Sequence, residues 1–273
     1  MSTSRRFALR LQFEGAGFAG TAVQPGQRTV QDSLQAALQN IDPHHPNCTP
    51  ASRLDAGVSA FAWTCHVDCE RHWHPNDLLK ACNGNLPSDV RVVAAAAVAD
   101  SWHARYESHQ KTYRYTWQLG PVAPTRDTYW WQARWSSTGL TNIRAFCEAI
   151  RGSHDLTAFA VKRSTDTDDS ATNQRVISQA DLALQAPLPY AAPSAAQTYH
   201  LIVSGSGFFY RQVRGLAGTI AALGRDSLAL PEAVAAIDAG WQVRPLAPIA
   251  PAAPLCLINT AYSTEPDWVV GTE

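Results

Sequence analysis

Ser52-Arg53-Leu54-Asp55-Ala56-Gly57-Val58 sets an acid on a tight turn, behind an arginine and directly before an alternating stretch. Asp bonds its own backbone and Gly accepts positive φ, so Asp-Ala-Gly by itself signals only a turn. The alternating stretch gives the turn its weight. From Phe61 to Cys69 the odd positions Phe61, Trp63, Cys65, Val67 and Cys69 are apolar, while Ala62, Thr64, His66 and Asp68 are small or polar. That is the period of a strand with one buried face. A carboxylate on a loop anchored to a sheet is held more rigidly than one on a free loop, and an acid so placed can serve as nucleophile or base.

Strands and helices alternate outward from this turn. Phe7, Leu9, Leu11 and Phe13 predict a strand, and Val30, Leu34, Leu38 and Ile41 a helix with Thr29 and Asp32 placed as its cap. Between them Gly15-Ala16-Gly17-Phe18-Ala19-Gly20 has the form GxGxxG. A dinucleotide fingerprint needs a helix opening within the glycines, whereas Pro25-Gly26 intervenes and the helix begins near Thr29. Further strands are expected over Val90 to Val98, along the face marked by Tyr113, Tyr115 and Trp117, and at Tyr199, Leu201 and Val203. Ile143, Phe146, Cys147 and Ile150 trace a helix ending at Gly152. Another is expected to begin near Phe209, run through Val213, Leu216, Ile220 and Leu223, and stop at Gly224, with a short one opened by Pro231. Lys162 to Thr172 and Ala186 to Gln197 lack periodicity and read as loops.

At 273 residues the chain can bury a sizeable core, and its 45% hydrophobic and 16% charged composition is that of a globular protein. The formal net charge of -1 gives no overall basic excess, so any nucleic-acid binding must rest on a local patch. Of the 22 Lys and Arg residues only Lys80, Lys111 and Lys162 are lysines. Arginine suits phosphate because its planar fork bonds bidentately and stacks on bases. The six cysteines form no CxxC pair and read as buried thiols of a reducing, cytoplasmic protein. Ser4-Arg5-Arg6-Phe7 lacks the apolar region of a twin-arginine signal, and the longest apolar run, Val92 to Ala99, is too short to span a membrane.

Several segments, in a fixed order, resemble the tRNA pseudouridine synthases of the TruA type. They are Phe13-Glu14-Gly15 through Gly20, Val30-Gln31-Asp32, and Arg53-Leu54-Asp55-Ala56-Gly57-Val58-Ser59-Ala60. After these come Asn83-Gly84-Asn85-Leu86-Pro87, His103-Ala104-Arg105, Lys111-Thr112-Tyr113-Arg114-Tyr115 and Gly207 through Arg214. The resemblance runs nearly end to end and implies an α+β fold: two related ferredoxin-like or RRM-like halves, 1–106 and 107–273, with joined, mainly antiparallel sheets and a central catalytic cleft. It implies isomerisation of uridine to pseudouridine in the anticodon stem-loop of tRNA by a homodimer.

The implied reaction breaks the bond from ribose C1′ to uracil N1, turns the base and rejoins it through C5. Atoms are neither gained nor lost, so no cofactor is required. Asp55 would be the catalytic carboxylate, attacking C1′ or abstracting a proton at C2′, and either role needs it ionised. The resemblance gives Arg214 as its ion partner and Tyr113 as the ring on the base, with Arg53, His103 and Arg105 on phosphate or ribose and Leu255 near the base; Arg211 is a further candidate for RNA contact. Arg211 is expected one turn before Arg214 on the same helix face.

The chain also departs from the family pattern. Thr21-Ala22 stand for a usual Trp-Gln, Leu54 for Thr, Arg211-Gln212 for Asn-Met, and Pro254 for Gly. Two rival readings accompany the resemblance. One is a catalytically altered RNA-binding protein of the same fold. The other is a zinc site at Cys65, His66, Cys69, His72 and His74, which strand alternation opposes by turning His66 away from the cysteines. No metal and no membrane are expected.

Overall fold

The computed structural model describes residues 5–42, 47–120, 131–166, 169–185, 197–241 and 245–271. In chain order it begins with strand β1 (Arg5–Phe13), helix α1 (Val30–Ile41), β2 (Cys48–Pro50), β3 (Ser59–Cys69), α2 (Pro75–Asn85), β4 (Val90–Ala97) and β5 (Ser108–Leu119). Next come β6 (Trp131–Ala133), α3 (Ser137–Ala149), β7 (Gly152–Asp155), α4 (Ser170–Asn173), β8 (Gln174–Leu184) and β9 (Gln197–Gly205). The chain closes with α5 (Gln212–Gly224), α6 (Leu230–Ala235), β10 (Leu255–Tyr262) and β11 (Val269–Val270). The fold is α+β.

Two compact units divide the chain, one of 1–111 with 256–273 and one of 112–255. The last 18 residues, which the sequence reading leaves with the second half, therefore return to the first, where β10 pairs in parallel with β3.

The first unit runs β1-α1-β2-β3-α2-β4, with β1 antiparallel to both β3 and β4 and β2 antiparallel to β3. This is the ferredoxin-like order β4-β1-β3-β2. Thr29 caps α1 by accepting from the Asp32 amide at 3.1 Å, and its hydroxyl donates to the Asp32 carboxylate at 2.6 Å. The GxGxxG segment makes a 3-10 turn at Gly15–Gly17, well ahead of α1. Arg5 and Arg6 lie in β1, where Arg6 grips Asp68 with two bonds of 2.7 and 2.8 Å.

β3 departs from simple alternation. Trp63, Cys65, Val67 and Cys69 are fully buried as expected, but Phe61 is 46% exposed. Leu11 pairs with Trp63 and Phe13 with Ala60, so one extra residue of β3 is accommodated between them. That bulge moves Ala60 onto the buried face and turns Phe61 off it, because side chains repeat every two residues. Thr64 and His66 are buried too, so the polar face of β3 is covered.

With β6, β7 and α4 set aside, the second unit runs β5-α3-β8-β9-α5, the same order of types as β1-α1-β2-β3-α2, and its strands lie in the order β5-β9-β8-β7. Tyr113, Tyr115 and Trp117 of β5 and Tyr199, Leu201 and Val203 of β9 are buried. Helix α3 packs its buried Ile143, Phe146 and Cys147 toward α5, α6 and β8. Within the expected 162–172 loop α4 begins at Ser170, and most of the expected 186–197 loop lies outside the described residues.

Helix α5 does not begin near Phe209. It starts at Gln212, with Arg211 as a left-handed N-cap at φ 59°. Arg211 therefore precedes the helix, and the expected one-turn relation to Arg214 does not hold.

Candidate active site

Three layers of backbone fix the Asp55 turn. The Val58 amide donates to the Asp55 carbonyl at 3.2 Å, with Gly57 at φ 82°, the left-handed third position that a type II turn reserves for glycine. The Leu54 amide donates to the Thr21 hydroxyl at 2.8 Å, and the Thr21 amide returns a bond to the Leu54 carbonyl at 3.2 Å. The Gly57 amide donates to the Phe18 carbonyl at 3.3 Å. The glycine segment thus serves as a cradle. A Cβ on Gly15 would stand 2.3 Å from the Val58 carbonyl oxygen, and one on Gly20, itself at φ 105°, 2.7 Å from that of Leu54. From the other side the Trp63 indole donates to the Ser52 carbonyl at 2.9 Å. Leu54 is buried, Asp55 half-buried and Arg53 exposed.

Two of the sequence departures are therefore physically linked. Thr21 and Leu54 face each other in a reciprocal pair of hydrogen bonds, and both are buried. The cradle and its hydroxyl are the supporting residues that sequence reasoning missed. Their only signal was a glycine run with no helix to open.

Also in the first unit, His66 holds the segment that carries His103 and Arg105. Its Nδ1 accepts from the Ala104 amide at 3.2 Å. Burial, then the nearby Arg6 and His103, lower its pKa to about 4, so the ring is neutral near pH 7. His103 in turn accepts from the Arg105 amide at 3.1 Å, and its ring lies 4.2 Å from that of Tyr106 at an angle of 31°. Tyr106, absent from the sequence reading, is 77% exposed. Arg105 is exposed beside it.

In the second unit Tyr113 is buried on β5 with its ring edge-on to Phe208 at 5.3 Å. Two residues on, Tyr115 donates its hydroxyl to the Pro251 carbonyl at 3.1 Å. Burial drives the Tyr115 pKa far upward, and the positive charge of Arg214 opposes that rise. Arg214 is half-buried, and its Nε donates to the Ala250 carbonyl at 2.8 Å while the Ala250 amide donates back to the Arg214 carbonyl at 3.1 Å. The guanidinium is thereby aimed by α5 and the 248–251 segment together. Leu255 is buried just after, where the Pro254 carbonyl accepts from the Thr116 amide at 3.2 Å. Asp55, Arg53, His103 and Arg105 thus belong to the first unit, and Tyr113, Arg211, Arg214 and Leu255 to the second.

The cysteine and histidine window holds no metal-binding group among the described residues. Cys65 and Cys69 are core thiols whose pKa values burial raises, that of Cys69 to about 12, and Nδ1 of His66 is occupied by Ala104. All six cysteines are buried. Among the described residues no helix is long and apolar enough to cross a membrane.

A family model described as tRNA pseudouridine synthase matches residues 11–107 and 146–263. The match includes the Asp55 turn, its glycine cradle, the 103–105 segment, Arg214 and Leu255, whereas Tyr113 falls between its two parts. Three relatives carry the name tRNA pseudouridine synthase A. That of Shouchella clausii is 32% identical over 260 residues, 94% of this chain and 93% of its own. That of Solidesulfovibrio magneticus is 34% identical over 262 residues, 94% of this chain and 91% of its own. That of Paracoccus denitrificans is 31% identical over 271 residues, 96% of this chain and 97% of its own.

Proposed function

This chain belongs to the tRNA pseudouridine synthase family, and we propose that it isomerises uridine to pseudouridine on the 3′ side of the anticodon stem-loop of tRNA, working as a homodimer. Asp55 is the catalytic carboxylate, Arg214 its ion partner and Tyr113 the ring on the extruded base. Arg53, His103, Arg105 and Arg211 hold phosphate or ribose, and Leu255 packs near the base. The observation that carries this reading is the Asp55 turn, whose backbone is bonded to Thr21 and Phe18 while Asp55 itself is only half-buried. A turn held so firmly presents an acid at a fixed point, as attack at C1′ or proton abstraction at C2′ requires.

In the proposed reaction Asp55 acts on the ribose, the C1′–N1 bond breaks, the uracil turns, and C5 bonds to C1′. The C5 proton then leaves to restore the ring while N1, freed from the ribose, takes up a proton, so the product has the composition of the substrate. Extruding the base costs a few kcal/mol of stacking and pairing, offset by arginine contacts to the backbone.

Tritium release from C5-labelled uridine in tRNA tests the reading directly. Wild type should release tritium, and Asp55→Asn should reduce the rate by roughly 10²–10⁴-fold with tRNA binding retained. A wild type that binds tRNA yet releases no tritium is the altered RNA-binding protein instead.

A further inference from the structure

We propose that the second unit carries an RNA-docking patch of interleaved cations and aromatic rings, centred on Phe209, Tyr210 and Trp241, that seats an unpaired nucleotide of tRNA and its flanking phosphates. The proposal rests on the reading of this chain as one that acts on tRNA. Its evidence is a connected set of contacts in a chain with no overall basic excess.

The Arg175 guanidinium lies 4.3 Å from the Phe209 ring, and Phe209 meets Trp241 edge-on at 5.6 Å. The Lys162 ammonium stands 5.9 Å from the Trp241 ring. The next residue, Arg163, lies 5.7 Å from the Tyr210 ring, and Arg211 lies 4.8 Å from that same ring. A backbone bond of 3.0 Å from the Val161 amide to the Tyr210 carbonyl ties the two strips together. Each such pair is worth about 0.5–1 kcal/mol at an exposed site. Here four share one patch.

Two features show that the patch is built. The Arg175 head is fixed by donating to the Thr172 and Gln174 carbonyls at 2.9 and 2.7 Å, and its guanidinium is partly desolvated, which lowers its pKa while leaving it charged. Arg211 occupies a left-handed conformation that a side chain bearing a Cβ rarely adopts, and such conformations persist only where the surroundings over-determine them. Asp166 pairs with Arg163, accepting from its amide at 2.8 Å and from its guanidinium at 3.4 Å. Lys162, Arg163 and Arg211 are exposed while the three rings are half-buried, so cationic heads lie beside rings that keep part of their surface accessible. Rings and arginine planes stack on unpaired bases, and cations beside them take phosphates, so RNA fits this surface in both respects.

The test is binding of full-length protein to a transcribed tRNA across a salt series. Arg175→Gln with Arg211→Gly, the glycine preserving the left-handed backbone, should weaken binding about tenfold and lower the log–log salt slope by about one to two. Trp241→Ala should weaken binding roughly 5- to 150-fold at every salt concentration with the slope unchanged. Lys162→Gln, a change at an exposed head, should lower the slope by about one and stands as the check if the double variant misfolds. Unchanged affinity and slope in Lys162→Gln and in a folded double variant would overturn the proposal. So would displacement of the tRNA by polyglutamate at equal concentration, which would mark the patch as a seat for acidic peptide. Because the readout is binding, a protein that binds in this way but releases no tritium leaves the patch standing and removes only the catalytic reading.

Discussion

A single hydroxyl illustrates how much of the Asp55 turn depends on its neighbours. Thr21 is buried, and its oxygen receives the Leu54 amide at 2.8 Å. Thr21→Val keeps the shape and removes the acceptor, leaving a buried N–H unsatisfied at a cost of about 1–3 kcal/mol. Thr21→Ser keeps the bond. Urea unfolding should show the loss in the valine variant and near-recovery in the serine variant. If Asp55 is catalytic, kcat should fall with the valine change while KM for tRNA holds, since the turn touches the reacting carboxylate rather than the remote contacts. His66 makes a second prediction at this scale. Its pKa falls from an ordinary 6.5 to about 4 on folding, chiefly through burial, so the unfolded chain binds the proton more readily. Its contribution is fully present above pH 6.5 and declines as pH falls from 6.5 to 4. Urea midpoints measured across that window should drop more steeply in wild type than in His66→Gln.

The same close approach governs whole elements, most clearly in α5. Its sequence QVRGLAGTIAALG places two glycines inside a helix, where each normally costs about 1 kcal/mol relative to alanine. Here a Cβ on Gly215 would fall 1.7 Å from the Phe159 carbonyl oxygen, and one on Gly218 would fall 2.1 Å from that of Pro248. Gly215→Ala should therefore destabilise the protein by about 1–3 kcal/mol in thermal or urea unfolding, reversing the usual propensity gain. That helix also shows what its sequence does and does not reveal. A stripe of Val213, Leu216, Ile220 and Leu223 was legible, but α5 is buried all round except at Arg214 and begins at a left-handed arginine. Periodicity carries no trace of either property. β8 was overlooked for a related reason: its register slips between Ile177 and Gln179, which puts Ile177 and Ala180 on the buried side and breaks the alternation that identifies a strand. Phe61 was misplaced by the same kind of bulge in β3. The Asp55 turn was legible because its chemistry is local, whereas the Thr21 hydroxyl lies 33 residues away in sequence and only the fold brings it there.

At the scale of the whole chain, the first unit is discontinuous and must recruit residues 256–273 after the second unit has been traversed. β10 supplies β3 with a parallel partner at Ser59 and Ala60, the residues that immediately follow the Asp55 turn. Thr260 donates to the Ala62 carbonyl at 3.1 Å, Arg10 reaches Glu265 at 3.4 Å and lies 4.4 Å from the Trp268 ring, and β11 closes the edge of β4. Removing this segment would strip partners from β3 and β4 together and expose apolar strands to association. The second unit keeps its own continuous chain from 112 to 255. Truncation after Leu255 should therefore unfold the first unit selectively. Limited proteolysis of the truncated protein should cut first within 1–111 and leave a resistant core containing α3, β8, β9 and α5. Cleavage beginning instead within 112–255, with 1–111 protected, would show that the terminal strands do not hold the first unit together.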